Sequence, residues 1–292
     1  VDVKDYGAVG DYQVATHTGT DNTAAIQAAI DSSGLGGVNE GKVVLLSSGR
    51  YKTTSPLNMR EGTTLASVPV LRGMAVSYQF LKYGASIEFH GGPNDNCIQA
   101  VGLAGPSSST SLSRCVVERL KVIDRRTSPT GGNGVYFEKV VNQTVVRNMD
   151  INGFPTGSSV KITAQTGNVS DCVTVEDIWG LGSQYAVNVS RLDNTCFIRD
   201  IKLDTLTTDP LIAGIYVSGL NGVCLISGVK HENNKLSAPT VQLDGSYNGT
   251  IVDGIVSRFG NGGPVVSLTN SIGVGVTLRG LQRQATGTLL AV

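Results

Sequence analysis

The hexapeptide CFIRDI at residues 196–201 decides the fold, because it recurs. CVVERL stands at 115–120 and CLISGV at 224–229, and the same pattern without the cysteine reads TVVRNM at 144–149, VTVEDI at 173–178, TIVDGI at 250–255 and VTLRGL at 276–281. The closing residues, Leu120, Met149, Ile178, Ile201, Val229, Ile255 and Leu281, are separated by 29, 29, 23, 28, 26 and 26 residues, and all are apolar. Three positions earlier come Val117, Val146, Val175, Ile198, Ile226, Val252 and Leu278. Two before those stand Cys115, Thr144, Val173, Cys196, Cys224, Thr250 and Val276. A step of two keeps side chains on one face of a strand, and the following step of three breaks the alternation and demands a bend. Each copy is expected to be strand, corner, strand.

A second strand-like run follows in each period: GVYFEKV at 134–140, SVKIT at 159–163, YAVNVS at 185–190, GIYVSG at 214–219, TVQLDG at 240–245 and PVVSLTN at 264–270. Short strands and Gly/Asn/Asp turns repeating about every 27 residues mark a β-solenoid, in which no copy buries its inner face alone. Coils stack at about 4.8 Å, so sequence columns become ladders in space. Cys115, Cys196 and Cys224 then share an inward column with Thr144, Val173 and Thr250, and are expected as buried free thiols. The five cysteines include no C-x-x-C pair, which points to neither a disulfide framework nor a zinc site.

Composition agrees. Charged residues are only 16% and glycine reaches 37, while hydrophobic residues make up 40%, which excludes disorder and fits many turns around a long core. The 23 basic and 23 acidic residues balance, and no basic run stands out, which argues against a nucleic-acid partner or an anionic membrane surface. No apolar run approaches the roughly 20 residues of a membrane span, so no membrane insertion is expected. The start, VDVKDYGAVG, lacks the basic and apolar regions of a signal peptide, and export stays open. KVVLLSSGRY at 42–51 and ASIEFHGG at 85–92 read as earlier coils, and LAGPSSSTSLSR at 103–114 reads as a polar loop because the pattern resumes at once. The expectation is a single domain over 1–292, with an N-terminal segment at 1–41 and coils over 42–292. Triplets of the Asn-x-Ser/Thr type at Asn142, Asn168, Asn188 and Asn248 are chance matches in a chain this rich in those residues.

GTDNTAAIQAAIDSSG is read as a helix over about 21–33: Asp21 or Thr20 caps it, Ile26 and Ile30 share one face, and Gly34 ends it. Such a helix plugs the open end of a solenoid. VKDYGAVGD, then TDNTAAIQAAID, then GKVVLLSSGRYKTTSPLNM resembles the opening of the pectate-lyase-like superfamily of right-handed parallel β-helices, especially its phage tailspike and polysaccharide-depolymerase members. The resemblance covers about the first 60 residues in motif detail and the remainder through coil periodicity. It implies an all-β, single-stranded right-handed parallel β-helix and a polysaccharide bound along its outside. For a tailspike or tail appendage it also implies a homotrimer. The DPHE-type motif of alginate epimerases and the paired aspartates of polygalacturonases are both absent.

Glycoside hydrolysis takes two carboxylates, about 5–5.5 Å apart for retention and about 6.5–9.5 Å for inversion, and neighbouring coils can supply them. Asp177 and Asp200 occupy the same corner on consecutive coils, and Asp204 and Glu232 share a column further along. These four are the catalytic candidates. Asp150, Trp179, Lys202 and Lys230 share an outward column, where an indole stacks on sugar rings and lysines reach anionic groups. With His231, beside Glu232 in KHENN at 230–234, they are the substrate-binding candidates. A lyase would instead use Lys202, Lys230 or Arg199 against a uronate. Solvated corner and strand residues are the plain alternative, since Asp and Asn favour turns. No Asp/Glu cluster has calcium-loop spacing, and neither metal nor cofactor is expected.

The sequence thus supports a phage tail spike or appendage that binds and cleaves a bacterial surface polysaccharide, alongside other tail or baseplate proteins in the virion. The alternatives are a non-enzymatic stalk or receptor-binding β-helix of the same assembly, and a secreted bacterial polysaccharide lyase or hydrolase. The uncapped ending TGTLLAV favours the assembly readings, in which a further domain or partner chain covers the last coil.

Overall fold

Every strand pairing in the two large sheets is parallel and joins one coil to the next. The computed structural model describes residues 1–34, 37–59, 69–74, 84–102, 112–141, 143–164, 170–204, 211–219, 222–232, 238–245, 249–258, 263–270, 275–284 and 288–292. The stretch 103–111, the asparagines at 142, 168 and 248 that begin three of the triplets, and the last two residues of KHENN lie outside them. Among the described residues a 14-stranded sheet and a 9-stranded sheet run the length of the molecule, forming a right-handed parallel β-helix. No helix among them is long and apolar enough to cross a membrane.

The recurring hexapeptide lies in the 14-stranded sheet. Its strands Val116–Asp124, Thr144–Asn152, Ser170–Leu181 and Leu192–Asp204 run through the corner and so have two legs. In the next coils the same path divides into Val223–Ser227 with Lys230–Glu232, and Ile251–Asp253 with Val256–Ser257. Gly228 and Gly254 stand at the breaks. The second run of each period forms the 9-stranded sheet, through Val135–Glu138, Ser158–Thr163, Tyr185–Ser190, Ala213–Ser218, Val241–Asp244 and Val266–Thr269.

Register follows the sequence columns. Thr144 pairs with Val173, Val173 with Cys196 and Cys196 with Cys224, all facing a continuous apolar core. All five cysteines are free. A hydrogen bond with the neighbouring Cys224 thiol, then burial, pushes the Cys196 thiol well above its usual range, so Cys196 is chemically quiet.

The helix spans Thr23–Ser33, and Ile26, Ala29 and Ile30 are buried in the same core as Val44, Leu46 and Leu57. Asp21 accepts from the Thr23 amide at 3.0 Å. Asn22 is buried and instead ties the preceding segment down, donating to the carbonyls of Val9 at 2.9 Å and Thr20 at 2.8 Å.

Candidate functional site

The corner itself has a backbone cause. At the fifth position of the repeat the chain turns through a left-handed residue: φ is 56° at Arg119, 53° at Asn148, 54° at Asp177, 56° at Asp200, 63° at Gly228, 62° at Gly254 and 61° at Gly280. Asn, Asp and above all Gly take this conformation most readily, so the column's composition follows from the bend. Pairing of Glu176 with Arg199 and of Ile178 with Ile201 puts Asp177 and Asp200 on successive rungs, about 4.8 Å apart in backbone rise.

Their surroundings differ. Asn148 Nδ2 donates to Asp177 Oδ2 from the preceding rung. Burial first, and the charge of Asp200 second, raise the Asp177 carboxyl above its ordinary value. Asp200 is exposed, and the next corner is Gly228, where an added Cβ would lie 2.6 Å from Asp200 Oδ1. The glycine corners leave room beside Asp200 that a side chain would fill.

Beyond the corner, Lys121, Asp150, Trp179, Lys202 and Lys230 form one outward column, and Asp204 and Glu232 pair in the next. Ion pairs connect most of these charges. Lys121 holds Asp150 at 2.9 Å, Lys202 lies 3.4 Å from Asp204, and Glu232 receives both Lys230 and Arg258. The Lys230 hydrogen bond leads the effects that hold Glu232 below the usual carboxylate range. The Lys202 ammonium sits 4.5 Å from the centroid of the Trp179 ring, so that face of the half-buried indole is covered by a cation.

His231 is not on this surface. It pairs in register with Leu203 and Ser257, is fully buried, and its Nδ1 lies 3.1 Å from Thr240 Oγ1. Alternation after the corner puts Val229 inside, Lys230 outside and His231 inside, so adjacency to Glu232 in sequence separates the two across the sheet. Burial pulls the imidazole down to about 4, which makes it a neutral core residue instead of a substrate contact.

Two further features escape a residue-by-residue reading. Before the corner, Arg72, Glu118, Arg147, Glu176 and Arg199 stack as an outward column of alternating charge, each paired with its neighbours. On the 9-stranded sheet, Tyr136, Lys161, Asn188, Tyr216 and Gln242 form another outward column. There the Tyr136 hydroxyl donates to Glu138, the Tyr216 hydroxyl donates to Asp244 at 2.7 Å, and Tyr185 packs on Tyr216 at 5.5 Å. Aligning the second run of each coil as carefully as the first would have brought these tyrosines out.

The architecture defines a parallel β-helix protein with long outer faces carrying stacked polar and aromatic columns. The chain belongs to the family described as "Rhamnogalacturonase A/epimerase, pectate lyase-like", which matches residues 1–236. It is 29% identical over 151 residues to the capsule K3-specific Depolymerase 1 of Klebsiella phage KP32, an alignment covering 50% of this chain and 16% of that protein. ORF18 of Geobacillus virus E2 resembles it with a TM-score of 0.48 and 15% identity, over 95% of this chain and 61% of that one. The tailspike gp49 of Acinetobacter baumannii bacteriophage Fri1, a capsular polysaccharide depolymerase, gives a TM-score of 0.45 and 14% identity, over 100% of this chain and 62% of that one.

Proposed function

We propose that this chain is the β-helix of a phage tailspike or tail appendage, acting in the virion as part of a homotrimer among other tail proteins, and that it binds and cleaves a bacterial surface polysaccharide on its outer face. The observation that carries the catalytic part is the unequal pair at the corner: Asp177, held towards its protonated form, beside exposed Asp200. A backbone rise of about 4.8 Å between successive rungs supports a retaining reading, in which the two carboxyls stand about 5–5.5 Å apart. In this reading Asp177 protonates the leaving oxygen while Asp200 attacks the anomeric carbon, and Asp177 then takes a proton from the water that releases the sugar. Trp179, Lys202 and Lys230 flank the pair and contact the chain. Asp150, Asp204 and Glu232 each stand in an ion pair, which suits them to accept hydrogen bonds from sugar hydroxyls. The sequence similarity to a capsule depolymerase supports the substrate class.

A second reading places the saccharide on the 9-stranded sheet, favoured by the two tyrosine–carboxylate pairs, whose rings offer flat apolar faces with hydrogen-bonding groups beside them. One experiment separates the readings. The chain is incubated with a panel of capsular, O-antigen and teichoic polymers, and new reducing ends and unsaturated uronate absorbance are followed for the native protein, Asp177→Asn, Asp200→Asn and Tyr216→Ala. Reducing ends lost with either aspartate change support the corner site, and absorbance of an unsaturated uronate replaces hydrolysis by elimination. Full activity in both aspartate variants with loss in Tyr216→Ala moves the site to the second sheet. Binding without any product sinks the enzymatic claim.

A further inference from the structure

The segment 9–20 lies along the outer edge of the strand Gly49–Thr53, whose inner edge pairs with Ala85–Phe89. Its hold on that edge is slight. The Tyr12 amide donates to the Arg50 carbonyl at 3.1 Å, the Arg50 amide donates to the Gly10 carbonyl at 3.3 Å, and the Gln13 amide closes a small hairpin on the Thr18 carbonyl at 2.7 Å. Within 9–20 only one side chain is buried, that of Tyr12, which is 3% exposed. The base of the loop is firmer. Asn22 accepts from the Val9 amide at 2.5 Å and donates to the Val9 carbonyl at 2.9 Å, so the two ends stay joined whatever the tip does.

Tyr12 rests on His90, with the rings 5.4 Å apart and tilted by 57°, and its hydroxyl lies 3.2 Å from His17 Nδ1 across the hairpin. The Nε2 of His90 is shut off from water and has no hydrogen-bond partner. The charged groups facing it come from each element around it: His17 from the hairpin, Lys52 from the edge strand, Glu88 from the next strand and Arg125 from the one after. Glu88 is fully buried and already holds Arg125 at 2.8 Å and Arg50 at 3.5 Å. Burial first, and the charge of Lys52 second, hold the His90 imidazole below its ordinary value.

We propose that Tyr12 and His90 form an acid-released latch: with the imidazole neutral the hairpin covers the edge of the first coil, and protonation of His90 lifts the hairpin away. An imidazolium here carries an Nε2 proton that nothing accepts, in a shell richer in cations than in anions, so it is satisfied only once water reaches the ring. Tyr12 packs on that ring, and admitting water displaces it. The lowered group is the latched one, so the released form binds more protons. The latch is therefore closed above about 6.5 and weakens as pH falls through the latched value. Release is local, because the Asn22 clasp and the buried Ile26, Ala29 and Ile30 of the following helix anchor the chain on both sides of the hinge. It frees the amide and carbonyl of Arg50, an unpaired stretch of strand edge that can accept another strand.

Hydrogen exchange of the whole chain between about pH 8 and 5, corrected for the intrinsic effect of pH and read by mass spectrometry, tests the proposal. Peptides over 9–20 are expected to lose protection by about tenfold per pH unit below 6.5, the slope of one coupled proton, while those over Thr144–Asn152 keep theirs. His90→Phe leaves a ring under Tyr12 that takes up no proton, and is expected to abolish the slope. Should it unfold the chain, His90→Gln serves instead and is also expected to give a flat profile. Tyr12→Ala is expected to exchange fast at every pH, and His17→Gln to keep the slope. A flat profile in the native protein overturns the proposal, as does a slope that survives in a folded His90 variant or disappears in His17→Gln, or a Tyr12→Ala hairpin as protected as the native one. An equal loss over Thr144–Asn152 also overturns it, since that is unfolding of the whole chain and not the opening of a latch.

Discussion

Asp200 and Gly228 stand at the same corner of successive coils, both in the left-handed conformation, and Asp200 Oδ1 lies 2.6 Å from where a Cβ at 228 would sit. The relationship separates what the backbone asks of this column from what chemistry would ask. Gly228→Ala is expected to cost about 1–2 kcal/mol for the left-handed backbone alone, and more for displacing the Asp200 carboxylate. Asp200→Gly goes the other way, relieving about 1 kcal/mol. If Asp200 is the nucleophile, that variant has an equal or higher denaturation midpoint and releases no reducing ends. A stable and fully active Asp200→Gly makes the residue a corner filler and nothing more.

The frame of the fold was legible because a solenoid writes its geometry into sequence spacing. The inward column from Cys115 to Thr250 and the outward columns through Trp179 and Glu232 fall where equal steps from the closing apolar residue put them. Adjacency to Glu232 in sequence suggests a shared surface for His231, although the same alternation carries it inward. The left-handed φ at Asp177 and Asp200 was hidden, since an aspartate in a turn and an aspartate in a site look alike in a sequence. The tyrosine–carboxylate pairs of the second sheet join residues of that sheet's two outward columns, Tyr136 with Glu138 in one coil and Tyr216 with Asp244 across two, and only registering the second runs brings them together.

Glu118 is the most buried member of the charge ladder, 1% exposed, between Arg72 and Arg147. Burial works against its charge, but hydrogen bonds from Arg147 and then Arg72 outweigh it and leave the carboxyl below its usual range. A lowered value in the folded state means that its contribution is fully present above the unfolded value of about 4.3 and is lost as pH falls through the folded one. Glu118→Ala is expected to cost about 2 kcal/mol at neutral pH, less than the roughly 3–5 kcal/mol of a fully buried broken pair because both arginines reach solvent. Urea titrations at neutral and acid pH check this: the difference from the native protein shrinks in acid. A constant difference would mean that the loss is one of packing.

The cysteine column predicts a sharp division in reactivity. Cys97, Cys115, Cys196 and Cys224 are buried, whereas Cys172 is half-buried. A hydrogen bond with Asp171, then burial, pushes the Cys172 thiol up to about 11, so it too is mostly protonated at neutral pH. A thiol reagent is expected to label at most Cys172 in the folded protein, slowly, and all five thiols after denaturation, under non-reducing conditions throughout. Cys196→Val, which copies Val173 on the preceding rung, is expected to change stability by less than about 1.5 kcal/mol. Rapid labelling of a second thiol in the native state would put one of the column residues outside the core.

His231 gives the molecule an acid-side weakness. Buried against Thr240 with its imidazole held down to about 4, it resists protonation in the folded chain, while the unfolded chain takes up the proton near 6.5. The folded value is the lower one, so the unfolded state binds more protons in this window. Stability is therefore complete above about 6.5 and falls as pH drops towards 4, by roughly 3 kcal/mol for this one group. His231→Gln keeps a polar partner for Thr240 but has no proton to gain. It is expected to cost stability at neutral pH, by about 1–2 kcal/mol for the altered packing and hydrogen bond, and to flatten the decline between pH 6.5 and 4. Melting temperatures of both proteins across that range decide the matter, since parallel curves would assign the acid weakness to another group.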